Sequence, residues 1–427
     1  MSRRAATKRK YVEIDSDNDS PHENEDEEEV EEMVQKKSKK SDLGDWVRED
    51  GVLILKHKKF SAKPTGNKIL AFDLDSTITE TISGATFAKN ATDWKFWDES
   101  IPEKMKESAK EGFILVIFTN QGGITKKKTT VAHVIGRIEN VISATVGDDI
   151  PFLAFAAPQD DHYRKPSTGM WDRMVKDFFE NDPSRIDINE SIYVGDAAGR
   201  LAEWKKGKKK DFSCSDRKYA LNIGLKFLTP EQFFLGENET KKWKFDVIEP
   251  KVLFKDVKEP YKTADLISDK QELVLFTGWP ASGKSTFYRK HFEPNDYVHV
   301  NRDTLKTPAK CKSTTVSALK SGKSVVIDNT NGKASDRKEY LKLAENAGVE
   351  KRCFVFDTPR NVAEHLNLLR EKVTKGDSKH VPGVAYNIYN KNRDDVDEDE
   401  GWDEIKTIEF IPTFSDDNEK KVFYQYT

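Results

Sequence analysis

From Trp46 onward the chain alternates short apolar runs with longer amphipathic ones. VLIL, KILAFDLD, FILVIFTN, PFLAFAA and SIYVGD are mostly rich in Ile, Val and Phe, and stretches such as ESIPEKMKESAKEG lie between most of them. The short runs read as strands and the intervening segments as helices. Apolar strands alternating with helices predict a parallel sheet covered on both faces. The pattern ends near TPEQFFLGENE, and a second series follows: ELVLFTG, YVHVNRD, SVVIDNT, RCFVFD and TIEFIP. No internal repeat relates the two. The expected fold class is therefore α/β, with two parallel-sheet domains over 44–235 and 269–420. A partly packed linker over 236–268, carrying prolines and charges without clear periodicity, joins them. Residues 1–43 have too little apolar surface to offset ordering entropy and are expected to be disordered.

Composition agrees with this division. A chain of 427 residues suits two domains, and 36% hydrophobic against 34% charged residues is polar enough to include an unpacked segment. The three cysteines, Cys214, Cys311 and Cys353, are far apart and lack CxxC spacing, so a reduced intracellular protein without disulfides or a zinc site is expected. No apolar run is long enough to span a membrane, and MSRRAATKRK has no apolar segment behind it to make a secretory signal. A monomer is expected, since no dimer-forming feature is visible.

Charge is uneven. Residues 13–32 hold twelve acids and no Lys or Arg, while Arg3, Arg4, Lys8, Arg9, Lys10, Lys36, Lys37, Lys39 and Lys40 flank them. This tail accounts for the whole formal net charge of −3, so bulk charge does not argue for a nucleic-acid partner. The basic clusters suit nuclear-import signals, hence a nuclear location; the plain alternative is a solvated tail. Ser16 and Ser20, three residues before Asp19 and Glu23, suit acid-directed kinases.

FDLDST places Asp73 and Asp75 at the end of an apolar strand. Residues i and i+2 of an extended chain point the same way, and open α/β sheets bind ligands at the carboxyl ends of their strands. One carboxylate can attack phosphorus while the other shuttles a proton. Alone the pair is a weak signal, and a strand-to-turn cap explains it as well. Three further elements follow in order. FILVIFTNQGG ends in Thr119 and Asn120, which suit donation to a phosphoryl oxygen; YRKPSTGMW offers Lys165 as a cation; IYVGDAAGR ends in Asp196, an acid suited to Mg²⁺.

GWPASGKST fits the phosphate-binding pattern G-x-x-x-x-G-K-[ST] through Gly278, Gly283, Lys284 and Ser285, after a strand and before a helical run. Pro280, Ala281, Ser282 and Thr286 complete the expected nucleotide-binding loop. Its backbone N–H groups face phosphates, Lys284 reaches the β and γ phosphates of ATP, and Ser285 binds Mg²⁺. HVNRDTLK ends the next strand in Asp303, an acid able to take an acceptor's proton, with Arg302 and Lys306 beside it for an acceptor phosphate. SVVIDNTN ends in Asp328, either a ligand for Mg²⁺-bound water or a strand-end cap. Arg370, in NVAEHLNLLREK, is either a lid arginine or a plain surface one.

The first set of motifs resembles the haloacid-dehalogenase phosphatases. Together with the second, the chain resembles the bifunctional polynucleotide kinase 3′-phosphatases from about Trp46 to about Pro412. FDLDSTIT, DWKFW, LVIFTNQGGI, YRKPSTGMWD, VGDAAGR, KKKDFSCSDRKYALNIGL, GWPASGKST, VNRDTL, IDNTN and His380–Val381–Pro382 carry the likeness. The resemblance implies removal of 3′-phosphate and phosphorylation of 5′-hydroxyl at DNA breaks, at nicks, gaps or double-strand ends, which restores ligatable ends; RNA ends are the rival substrate. It makes Asp73 the nucleophile, Asp75 the acid and base, and Thr119 and Lys165 the charge stabilisers. Asp73, the Asp75 main-chain carbonyl and Asp196 become the Mg²⁺ ligands. Asp303 becomes the kinase base and Arg370 the lid residue. Asp211 and Asp216 are either an outer acid shell or loop caps. The forkhead-associated domain common in the animal enzymes has no counterpart here, which leaves recruitment by a repair scaffold or ligase open. Arg164, beside Lys165, suits the 3′-end phosphate. Lys126–Lys128, Lys205, Lys206 and Lys208–Lys210 suit backbone phosphates or a solvated face. Trp94 and Trp97 suit base stacking or, more commonly, the core.

Overall fold

The computed structural model describes residues 38–60, 66–147, 149–245, 247–255, 257, 260–374 and 380–427. The acidic run, Ser16, Ser20 and the basic residues up to Lys37 lie outside the described residues.

The first domain is built on β1 (Ser38–Lys40), β2 (Gly44–Glu49), β3 (Val52–His57), β4 (Lys68–Phe72), β5 (Thr79–Glu80), β6 (Lys95–Phe96), β7 (Phe113–Asn120), β8 (Phe152–Ala157), β9 (Ile192–Val194) and β10 (Lys226–Leu228). Eight of these form one sheet in the order β1-β2-β3-β8-β7-β4-β9-β10, while β5 and β6 pair separately. The five strands from β8 to β10 in that order run parallel, as the apolar runs predict. VLIL does not: β3 lies antiparallel to both β2 and β8. The cause is local. Asp50 and Gly51 join β2 to β3 with φ of 50° and 93°, a two-residue turn that closes a hairpin and is too short for a parallel crossover. β1 extends the hairpin, so the described structure begins inside the stretch expected to be disordered.

Alternation along β4 explains its continuous apolarity. Leu70 and Phe72 join one core with helices Ile101–Lys110 and Val131–Thr145, and Ile69 and Ala71 join the other with helix Gly169–Phe178. Trp94 and Trp97 pack against the first core. The chain leaves β4 for β7 and β8 on one side and returns to β9 and β10 on the other. The carboxyl end of β4 is therefore the switch point where such sheets bind ligands.

The second domain has β11 (Glu272–Thr277), β12 (Val298–Val300), β13 (Val325–Asp328), β14 (Glu350–Phe356) and β15 (Glu404–Ile408), all parallel, in the order β12-β13-β11-β14-β15. The central strand β11 is buried along its length and runs into the phosphate-binding loop. Within the linker, Phe254 packs on Phe410 and Phe423, and Leu266 enters the second domain's core.

Candidate active sites

The first site forms where β4 stops. The Asp73 N–H donates to Val194 O at 2.9 Å, which fixes its backbone against β9. Lys165 reaches the same point from the loop before helix Gly169–Phe178. Asn120 grips the Lys165 main chain, accepting from its N–H at 2.9 Å and donating to its carbonyl at 3.1 Å. The Lys165 Nζ then meets Asp73 Oδ1 at 2.8 Å, Asp216 Oδ1 at 2.7 Å and the Tyr193 hydroxyl at 2.8 Å. Burial opposes the charge on Lys165, but Asp216 and Asp73 outweigh it and hold the pKa above the usual lysine value.

One buried lysine faces three acids. Carboxylate oxygens of Asp73, Asp196 and Asp216 lie within 4.8 Å of one another. Burial pushes Asp73 up to about 7, against the pull of Lys165 and with a further push from Asp216 and Asp75. Burial, then Asp216 and Asp73, pushes Asp196 well above the usual carboxylate range. Three crowded carboxylates with one monovalent partner fit a divalent cation with oxygen ligands.

The expected residues thus converge, with adjustments. Asp216 lies inside the cluster rather than in an outer shell, delivered by the first turn of helix Ser215–Ile223. Asp211 is a loop cap: its carboxylate accepts from the backbone N–H groups of Ala198 and Arg200 at 3.2 and 2.9 Å and pairs with the Arg200 side chain. Asn120 orients Lys165, because its amide oxygen and nitrogen both engage the Lys165 main chain. Thr119 is buried beside the site, its oxygen accepting from Gln121 Nε2 at 2.9 Å. The Asp75 carboxylate stands apart from the cluster of Asp73, Asp196 and Asp216; Arg137 and Gln121 hold it. The Arg164 guanidinium lies against Gly122, in the loop leaving Asn120, and pairs with exposed Asp160 at 3.5 Å. Lys205 pairs with Glu237 at 2.6 Å on the surface.

The second site follows β11. Gly278, Ala281 and Gly283 have φ of 156°, 57° and 92°, and a Cβ at Gly278 would lie 2.9 Å from Phe356 Cβ, so glycine is required there by contact as well as by backbone. Lys284 opens helix Lys284–His291, and its Nζ donates to Gly278 O at 3.1 Å, Trp279 O at 2.6 Å and Ser282 Oγ at 3.2 Å. Burial lowers its pKa to about 8, against the opposing pull of Asp328 and Asp303. Asp328, at the end of β13, accepts from Ser285 Oγ at 2.6 Å and meets His299 Nε2 at 2.8 Å. Burial pushes its pKa up, but His299, Lys284 and Ser285 together hold it below the usual value.

A cavity of about 780 Å³ opens over this loop, lined among others by Pro280–Thr286, Arg302, Asp303, Asp328 and Arg370. Asn301 caps the short helix Arg302–Leu305, accepting from the Asp303 N–H at 2.8 Å, and leaves the Asp303 carboxylate exposed to the cavity. Arg370 comes from helix Arg360–Val373, whose Asn367 is tied to Val381 through both its N–H and C=O, at 3.0 and 2.9 Å. Lys306 does not line the cavity: its Nζ donates to the Asp303 carbonyl at 2.5 Å. His299, stacked 4.0 Å from Tyr288, does not line the cavity either but holds Asp328, a contact that motif reading passed over.

The first sheet with its acid cluster defines a phosphatase domain, and the second sheet with its phosphate-binding loop defines a kinase domain. The family described as polynucleotide kinase 3 phosphatase matches residues 68–234, and the AAA domain family matches residues 306–387. The chain is 36% identical over 398 residues to the putative bifunctional polynucleotide phosphatase/kinase of Acanthamoeba polyphaga mimivirus, covering 87% of this chain and 92% of that one. It is 35% identical over 367 residues to the bifunctional polynucleotide phosphatase/kinase of Schizosaccharomyces pombe, covering 86% and 84% respectively. It is 38% identical over 182 residues to a polynucleotide 3′-phosphatase of Arabidopsis thaliana, covering 39% of this chain and 24% of that one. The chain belongs to the bifunctional polynucleotide phosphatase/kinase family.

Proposed function

We propose that this enzyme prepares broken DNA ends for joining, removing 3′-phosphate at the first site and phosphorylating 5′-hydroxyl at the second. The observation that carries the reading is that each site holds its own nucleophile or base, and its own buried lysine, on one chain. Asp73 attacks phosphorus, the P–O3′ bond breaks, and its electron pair stays on O3′, which takes the Asp75 proton. Water then attacks the aspartyl-phosphate, Asp75 takes its proton, and phosphate leaves Asp73. Lys165 and the Thr119 hydroxyl stabilise the transferred charge. Asp73, Asp196, Asp216 and the Asp75 main-chain carbonyl would hold Mg²⁺ at the first site, and Ser285 and Asp328 at the second, where the ion would screen phosphate charge that otherwise repels the attacking oxygen.

At the second site Asp303 takes the proton of the 5′-hydroxyl as its oxygen attacks the γ-phosphorus of ATP, and ADP leaves. Lys284 and Arg370 balance the charge that builds up on the phosphates. Arg164 suits the 3′-end phosphate of the phosphatase substrate, and Arg302 a phosphate of the kinase acceptor strand. Nuclear location, DNA rather than RNA ends, and action as a monomer complete the reading, with domains over 44–235 and 269–420.

The test is a nicked duplex bearing 3′-phosphate and 5′-hydroxyl, incubated with Mg²⁺ and ATP and weighed strand by strand. One strand should lose a phosphoryl mass and the other gain one. Asp73→Ala should block only the loss and Lys284→Ala only the gain. No change in either mass would end the DNA reading, and RNA ends would be assayed next.

A further inference from the structure

The proton-shuttling acid of the first site is held by two side chains that the reaction just described does not use. Arg137 projects from helix Val131–Thr145, whose buried face is otherwise Val131, Val134, Ile135, Ile138, Val141, Ile142 and Thr145. A guanidinium on so apolar a face is costly unless well paired. It forms a fork with Asp75, Nη1 to Oδ1 at 2.6 Å and Nη2 to Oδ2 at 3.1 Å. Gln121 adds Nε2 to Oδ2 at 3.0 Å, and its backbone N–H is anchored on Ala157 O, at the end of β8, at 2.8 Å. A planar fork fixes both the position and the plane of a carboxylate, which a single-point cation does not.

We propose that Arg137 and Gln121 are positioning residues of the phosphatase reaction, setting the Asp75 carboxyl group in the plane from which it serves the oxygen that leaves or enters. The inference rests on the reading of Asp75 as the proton shuttle. Its signature is dependence on the leaving group. A sugar alkoxide needs a proton as the P–O bond breaks; p-nitrophenolate does not. Loosening Asp75 therefore slows the first step for a 3′-phosphorylated oligonucleotide and spares it for p-nitrophenyl phosphate. The second step, water attack, slows for both.

The experiment uses the full chain and rapid-quench first turnovers, with kinase activity on the same preparation as the control for folding. For Arg137→Met, the first turnover on the oligonucleotide should fall about 10- to 100-fold, less than the roughly 100- to 10,000-fold that general acid catalysis supplies in full, because Asp75 is loosened and not removed. Nitrophenol should still appear as a burst, within about threefold of the parent rate, followed by slow steady turnover. Arg137→Lys should recover part of the loss. Equal losses on both substrates, or none on either, overturn the inference. If Arg137→Met does not fold, Arg137→Lys and Gln121→Met must show the same leaving-group dependence. Asp75→Asn separates two failures: if it too lacks the dependence, the reading of Asp75 falls; if it alone has it, only the role of Arg137 and Gln121 falls.

Discussion

Gly195→Ala adds one methyl group and should disable one of the two sites. Gly195 lies between the end of β9 and Asp196, outside the left-handed region of φ, so the effect is steric alone. The new Cβ would lie 2.5 Å from both Cγ and Oδ2 of Asp216 and 2.6 Å from its Cβ. Comfortable carbon contacts are about 3.5–4.0 Å, so Asp216 must retreat by about 1 Å. It is fully buried and has no slack. Its Oδ1 takes Lys165 at 2.7 Å and the Tyr193 hydroxyl at 3.1 Å, and its Oδ2 takes the Ala197 N–H at 3.0 Å. A retreat of about 1 Å stretches these beyond hydrogen-bonding range. Lys165 then loses one carboxylate and the acid cluster opens. Misplacement by about 1 Å is enough to cost about 100-fold in rate, and the overpacking itself costs about 1–3 kcal/mol. The assay measures 3′-phosphatase and 5′-kinase rates on one preparation. The phosphatase should fall about 100-fold while the kinase holds. In an Asp216→Gly background, which also removes the Cβ, the methyl group has room, and Gly195→Ala should add little. A Gly195→Ala enzyme within about threefold of the parent phosphatase would refute the reasoning.

Asn120→Ala should lower the phosphatase kcat about tenfold with little change in KM, because it frees the Lys165 main chain without removing a phosphate contact; a rise in KM at constant kcat would instead make Asn120 a binding group. Burial holds His365 at about 4, and its ring meets Phe423 O through Nε2 at 2.8 Å and Thr427 Oγ1 through Nδ1 at 3.0 Å. The unfolded chain binds that proton first as pH falls, so the stabilisation is complete above the unfolded pKa of about 6.5 and is lost as pH drops toward 4. The loss reaches up to about 3 kcal/mol, and urea titrations at pH 7 and 4.5 should show it in the parent and not in His365→Gln.

Asp73, Asp75, Lys284 and Ser285 were legible because each is part of a short contiguous motif at the end of an apolar strand. Arg137 and His299 were not, and Asp216 was legible only as an outer acid or a loop cap, because their places are set by contact across distant sequence. Asp216 meets Lys165 from 51 positions away, and Arg137 meets Asp75 from 62. In the chain they read as one more acid in a charged loop and one arginine in a helix. The Lys306 contact was not legible for a related reason: its φ of 70° turns the chain after the short helix, and its Nζ donates to the Asp303 main-chain carbonyl. The antiparallel edge was readable in principle, since an Asp-Gly pair between apolar runs is a strong hairpin signal. The regular alternation of strands and helices farther along masked it.

The last described residues join elements that serve both sites. Thr427 O accepts from Lys218 Nζ at 2.8 Å, and the Tyr426 N–H donates to Asn222 at 2.8 Å. Lys218 and Asn222 lie on the helix whose first turn delivers Asp216. Asn222 also donates to Pro166 O at 2.9 Å, one residue past Lys165. On its other side the same segment meets His365, on the helix that carries Arg370. The Lys165–Asp216 pair and the kinase arginine therefore share a support, although the two sheets are separate. A variant at Gly195 acts above that support and should change one activity; a variant at Tyr426 or Asn222 acts on the support itself. The two kinds differ in whether phosphatase and kinase rates move apart or together, a distinction made by the packing of residues 423–427 and not by distance from either site.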